Sequence, residues 1–212
     1  MNEDMFERMK IAVQTDQLLD VVDLLREGAK PTMTDFVQAI KNKSFPILEL
    51  FLNDGFDINQ QIKDDYPPPL SYALCDMETT KWMIDHGALP NARCKFDMTP
   101  LSIAAAFATQ EVIQYLFDAG ASVKFGQPLH YAVQRRRSKE ILELIIQKGA
   151  SVNAVMFQDD PVSFLHFECL GLGTPLHEAA RSKNKDLIKF LLEKGADPTI
   201  KDTRGRLPEV SM

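Results

Sequence analysis

The sequence predicts an all-α fold: an α-solenoid of about six stacked helix–turn–helix repeats with projecting hairpin loops. Three observations carry that prediction. Glycine recurs at Gly28, Gly55, Gly87, Gly120, Gly149 and Gly195, at intervals of 27 to 46 residues. An apolar stripe precedes every one of these glycines, and a Pro-Leu motif running into alanine precedes four of the stripes. Self-similarity at such a period marks an array in which each repeat buries its apolar faces only against its neighbours.

The stripe predicts the second helix of each repeat. Three and four residues before the glycines stand Leu25 and Leu24, Leu52 and Phe51, Ile84 and Met83, Phe117 and Leu116, Ile146 and Ile145, and Leu192 and Leu191. Seven before stand Val21, Leu48, Thr80, Ile113, Leu142 and Ile188. This spacing puts one apolar face on a helix. Glycine just past it is the expected stop, because the residue there adopts a left-handed conformation.

The Pro-Leu motif predicts the first helix. It reads Pro69-Leu70-Ser71-Tyr72-Ala73, Thr99-Pro100-Leu101-Ser102-Ile103-Ala104-Ala105, Pro128-Leu129-His130-Tyr131-Ala132 and Thr174-Pro175-Leu176-His177-Glu178-Ala179-Ala180. A threonine hydroxyl caps a free N–H, and proline in the first turn gives up a bond that was unmade anyway. The alanines let this helix sit close to its neighbours.

Thr174-Pro175-Leu176-His177-Glu178-Ala179-Ala180, followed by Leu191-Leu192-Glu193-Lys194-Gly195-Ala196-Asp197-Pro198, closely resembles the ankyrin repeat. The resemblance covers nearly the whole chain as one ankyrin-type domain. It has repeats at about 5–30, 33–59, 66–91, 97–124, 126–154 and 173–200, an inserted loop at 155–172 and a partial seventh repeat at 201–212. The first two repeats keep the stripe and glycine but have lost Thr-Pro-Leu-His. The last complete repeat is rich in Lys183, Lys185, Asp186, Lys189, Glu193 and Lys194, as an end unit with a polar outer side requires. Asp202-Thr203-Arg204-Gly205-Arg206-Leu207-Pro208 either caps the stack or opens a further repeat of a once longer protein.

Two irregularities stand out. Between Gly120 and Pro128 the loop lacks an Asp-x-x-Gly turn, which predicts a stunted hairpin. Residues 155–173 hold about 13 extra residues, including Phe157, Phe164 and Phe167, at the rim of the concave face. Two readings stand side by side: the rings fill the space of the missing hairpin, or they meet a partner or ligand. One further extra residue falls near Arg135-Arg136-Arg137-Ser138. Those arginines either grip a carboxylate- or phosphate-bearing partner or form a solvated turn at a helix C-terminus.

The remaining residues argue against chemistry. Net charge is −6, which disfavours nucleic acid outside the one arginine run. No stretch approaches the roughly 18 apolar residues of a membrane helix. The acidic start Met1-Asn2-Glu3-Asp4 fits neither a signal nor a transit peptide. Cys75, Cys94 and Cys169 form no metal or disulfide spacing, which fits an intracellular setting, cytoplasmic or nuclear. Asp64-Asp65 and Asp159-Asp160 are not spaced like a calcium loop. The resemblance implies that His130 and His177 tether adjacent repeats, and His86 sits where it meets a helix C-terminus. His166 and Cys169 do not make a nucleophile–base pair on spacing alone. Asn59, Asn91 and Asn153 resemble asparagines hydroxylated in some ankyrin proteins, and their expected role is to cap the turn locally.

The expectation is a non-catalytic scaffold, monomeric, without cofactor or metal, that binds another protein or peptide and neither nucleic acid nor membrane. Its expected contacts are Tyr72, Ile103, Phe107, Tyr131, Gln134, Arg135, Glu178 and Arg181 on the first helices, with Phe157, Phe164 and His166 in the inserted loop. The alternative is a small-molecule site or an enzyme, with a pocket under residues 155–173 lined by Tyr131 and His166.

Overall fold

A computed structural model describes residues 3–61, 63 and 65–210. Met1 and Asn2 of the acidic start, Asp64 of the Asp64-Asp65 pair, and Ser211 and Met212 of the partial seventh repeat lie outside the described residues. The chain divides into two compact units, Met1–Leu89 and Pro90–Met212. No strand occurs among the described residues.

The first unit holds α1 (Glu3–Gln14), α2 (Leu18–Arg26), α3 (Met33–Asn42), α4 (Phe45–Asn53), a 3-10 turn (Pro69–Tyr72) and α5 (Met77–Asp85). Its first two repeats are complete helix pairs although they lack the Thr-Pro-Leu-His motif. Another cap starts α3: the Thr32 hydroxyl accepts the Asp35 N–H, and the Asp35 carboxylate accepts the Thr32 N–H at 2.8 Å. This reciprocal pair satisfies two N–H groups that the helix cannot. Met9, Leu24, Phe36, Ile40, Ile47, Leu48 and Phe51 form the core, almost wholly shielded from water. Each contributes about 1.5–3 kcal/mol by burial.

The first helix expected at Pro69-Leu70-Ser71-Tyr72-Ala73 is only a 3-10 turn. The cause is room. Asp76 caps α5 seven residues after Pro69, whereas Thr109 caps its helix nine residues after Pro100. Two residues fewer leave no second turn.

The second unit holds α6 (Pro100–Phe107), α7 (Gln110–Asp118), α8 (Pro128–Gln134), α9 (Lys139–Gln147), α10 (Pro161–Phe167), a 3-10 turn (Glu168–Leu170), α11 (Pro175–Arg181) and α12 (Lys185–Glu193). The first helices α6, α8 and α11 pack in series, α8 touching both others. Ala104, Ala105, Ala132 and Ala179 are buried at these contacts, so small side chains set the close spacing. The six stop glycines all have φ between +88° and +101°, the left-handed region where a Cβ is costly.

The asparagines correct the sequence reading. They clamp the next repeat rather than their own turn. Asn59 donates to the Gly87 carbonyl at 3.0 Å and accepts from the Leu89 N–H at 2.9 Å. Asn91 does the same with Gly120 and Ser122, and Asn153 with Gly195 and Asp197. One primary amide, donor and acceptor together, fixes the glycine and the residue two beyond it.

Candidate functional site

The third residue of each first helix in the second unit points into the stack. The Ser102 hydroxyl donates to the Gly126 carbonyl. His130 Nε2 lies 3.1 Å from the Ala154 carbonyl and 3.2 Å from that of Gly173. His177 Nε2 lies 3.1 Å from the Arg206 carbonyl, while its Nδ1 accepts the Thr174 N–H at 3.1 Å. Burial holds the His130 imidazole down at about 4, so at neutral pH it is uncharged and its Nε2–H donates. Both motif histidines tether repeats, as the resemblance implies. His86 lies on Trp82, ring centroids 3.8 Å apart, with Nδ1 2.7 Å from the Trp82 carbonyl at the end of α5.

Counted from the first-turn proline, positions four and eight form the outward face, the eighth falling inside α6 but in the turn just after α8 and α11. Ile103, Tyr131 and Glu178 hold the fourth position and are half-buried; Phe107 and Arg135 hold the eighth and are exposed. Burial raises Tyr131 to about 12, with Cys94 and Asp97 adding to the effect. Burial also raises the Glu178 carboxyl, against the opposing charge of Arg181 at 3.1 Å. Phe107 is 56% exposed, and the Arg135 guanidinium lies over its ring, 4.7 Å from the centroid. Gln134 is exposed beside them, and Arg181 is exposed at the end of α11. Tyr72, in the first unit, is half-buried with the Lys41 amine 5.8 Å from its ring centroid.

The arginine run divides into separate roles. Arg136 takes a left-handed φ of +53° and donates to the Ser182 carbonyl at 3.4 Å. Arg137 donates to the Ala105 carbonyl at 3.2 Å and to that of Ala108, closing the end of α6. The extra residue of this turn carries Arg137 to those carbonyls. Arg135 alone turns its side chain to the Phe107 ring.

The segment expected as a loop contains a short helix, α10. Asp160 caps it, accepting the Ser163 N–H at 3.3 Å with Pro161 in the first turn. Phe157 is buried and gives a partner no surface, contrary to its place among the expected contacts; it stacks on Phe167 at 5.6 Å. Phe167 and His166 pack in turn on Phe96, at 5.2 and 4.9 Å. Phe164 is half-buried and His166 exposed. Arg93 pairs with Asp97 at 2.8 Å and with Asp160 at 3.4 Å, and lies 4.8 Å from the Phe125 ring centroid. The stunted loop is held by the same carboxylate, since Asp97 accepts the Gly126 N–H at 3.0 Å. The inserted rings thus close over the place of the shortened hairpin. A 430 Å³ cleft in the second unit, which Leu170, Arg181 and Leu207 help to line, touches neither Tyr131 nor His166.

Sequence reasoning missed Arg93 and Phe96 as anchors of the insertion, and the inter-repeat asparagine clamps. The clamps had a signal: asparagine stands four residues after Gly55, Gly87 and Gly149. The helix in the insertion had one too, in Asp160-Pro161-Val162-Ser163.

A family model for ankyrin repeats, in three copies, matches residues 36–126, 76–156 and 126–202. The chain belongs to the ankyrin repeat family. It is 29% identical over 141 residues to the ANK repeat-containing protein nipk-1 of Caenorhabditis elegans, covering 62% of this chain and 23% of that protein. It is 24% identical over 176 residues to the ankyrin repeat protein FPV230 of fowlpox virus, covering 80% and 87%. The crystal structure of the human ASB11 ankyrin repeat domain aligns with a TM-score of 0.68 at 20% identity, covering 96% of this chain and 91% of that one. That likeness shows the fold, a solenoid of ankyrin repeats. Domains of this family are generally protein-interaction modules. No helix among the described residues is long and apolar enough to cross a membrane.

Proposed function

We propose that the chain is a non-catalytic scaffold that holds a protein or peptide partner on the outward face of α6, α8 and α11. The observation that carries this reading is the Phe107–Arg135 pair. At 56% Phe107 is the most exposed aromatic ring among the described residues, and the Arg135 guanidinium lies over it, 4.7 Å from its centroid. Aromatic and arginine side chains are also the types that anchor interfaces: a ring buries much area for two frozen torsions, and a guanidinium presents a planar set of charged donors. Ile103, Tyr131, Gln134, Glu178 and Arg181 surround the pair on the same helices, half-buried or exposed. The repeat geometry supports the reading further: third-position side chains tie the stack together, which leaves the fourth and eighth positions for recognition.

Capture of partners by the full chain, compared with the Phe107→Ala/Arg135→Ala double variant, tests the proposal. Partners identified by mass spectrometry should drop at least tenfold with the variant while helical circular dichroism is unchanged. Equal capture by both proteins would remove this face from the site.

A further inference from the structure

The charges of the second unit are sorted by helix. The first helices α6, α8 and α11, with the turns that follow them, carry Arg135, Arg136, Arg137, Arg181 and Lys183 against one carboxylate, Glu178. The second helices α7, α9 and α12 carry the reverse, three lysines against six carboxylates. The two units also differ in charge. Residues 1–89 hold 8 Lys and Arg against 16 Asp and Glu, a charge of −8, whereas residues 90–212 hold 16 against 14, a charge of +2. Five of the chain's 24 Lys and Arg thus stand along one edge of the second unit, against a single carboxylate.

Two details make that edge specific. Arg136 bonds the carbonyl of Ser182, so the basic turn after α8 lies against the turn after α11 and the cations form a row. The Arg135 guanidinium lies over the Phe107 ring, its carbon 4.7 Å from the centroid. A guanidinium carries its N–H groups in one plane, a fork that takes a carboxylate with two parallel bonds. The ring holds the Arg135 guanidinium at this edge, and its exposed part offers an apolar seat beside the cation.

From this arrangement we infer that the partner is an acidic polypeptide segment, laid across the ends of α6, α8 and α11 with carboxylates on the basic row and an apolar side chain on Phe107. The inference rests on the face proposed above. Packed helices lie about 8–10 Å apart, and an extended chain advances about 3.3 Å per residue. Carboxylates three residues apart therefore meet successive turns.

Fluorescence anisotropy on the full chain tests this. The probes are fluorescein-labelled 12-residue peptides with one leucine and with Glu, Gln or Lys at every third position. The Glu peptide should bind at least tenfold more tightly than the Gln peptide, and the Lys peptide should not bind. Binding of the Glu peptide should weaken at least fivefold between 50 and 300 mM NaCl. Arg135→Glu should weaken it at least tenfold, and Lys139→Glu, on the second helix α9, by less than twofold. Equal binding of the Glu and Gln peptides, lost with Phe107→Ala but not with Arg135→Glu, would overturn the acidic partner and leave the face intact. Glu-peptide binding unaffected by both variants would overturn the face as well. No binding of any peptide, or tighter binding of a 12-nucleotide single-stranded RNA, would overturn the acidic-peptide assignment.

Discussion

Asn153 and Gly195 are joined across 42 residues by one hydrogen bond of 3.0 Å, from the asparagine amide to the glycine carbonyl. The equivalent bonds from Asn59 and Asn91 span 28 and 29 residues. The same clamp therefore closes whether or not a long segment lies between its ends. The insertion loops out of the stack without changing how one repeat meets the next, and α10 is an addition to the array, not a break in it.

Replacing Asn153 by Asp tests the clamp. The carboxylate keeps the acceptor for Asp197 N–H but turns the donor facing the Gly195 carbonyl into a repelling oxygen. The expected cost is about 1–2 kcal/mol, read as a lower urea midpoint with an unchanged slope. A midpoint equal to the parent's would show that the clamp contributes nothing.

The tether at His130 makes stability depend on pH. Burial lowers its folded value from 6.5 to about 4, so the unfolded chain binds the proton more readily. Its contribution is complete above about 6.5 and is lost as pH falls towards 4, by up to about 3 kcal/mol. His130→Gln keeps a donor near the Ala154 and Gly173 carbonyls and removes the titration. Unfolding free energies of the variant should fall less than the parent's between pH 6.5 and 4; parallel curves would contradict the assignment.

Gly126 is required for two reasons that the stop glycines do not combine. Its φ is +79°, and a Cβ there would stand 2.1 Å from Ser102 Oγ and 2.3 Å from Thr99 Oγ1, inside the cap of α6. Gly149 has φ +101° and its nearest such contact at 3.9 Å. Gly149→Ala should cost about 1 kcal/mol, and Gly126→Ala more than about 2 kcal/mol because the cap must also move. Equal costs by thermal or urea unfolding would show that the cap yields freely.

The insertion is held from outside its own repeat, by Phe96 on Phe167 and Arg93 on Asp160. Phe96→Ala should speed amide exchange over residues 160–168 while α11 and α12 keep the parent's protection. Exchange unchanged over α10 would mean that the segment holds itself.

These results show where the sequence was readable. The stripes, the stop glycines and the Thr-Pro caps act within one or two turns, so their spacing states their role. Arg137 and the asparagines bond carbonyls about thirty or more positions away, and nothing in their neighbours names those partners. Packing and partner contact were both open for Phe157 in the sequence, because its burial depends on Phe167 and, through that ring, on Phe96, a hairpin residue two repeats earlier. The positions of Phe107 and Arg135 on the outward face could be aligned from the motif alone. Their pairing needed the fold, because it joins the ends of two different helices.

Hydrogen exchange of the full chain, free and bound to a partner captured as described above, tests the central claim most directly. Amides at the ends of α6, α8 and α11 and in the turns that follow should slow at least fivefold on binding, while α7, α9 and α12 stay within twofold of the free protein. Protection confined to the second helices, or to the first unit, would contradict the account.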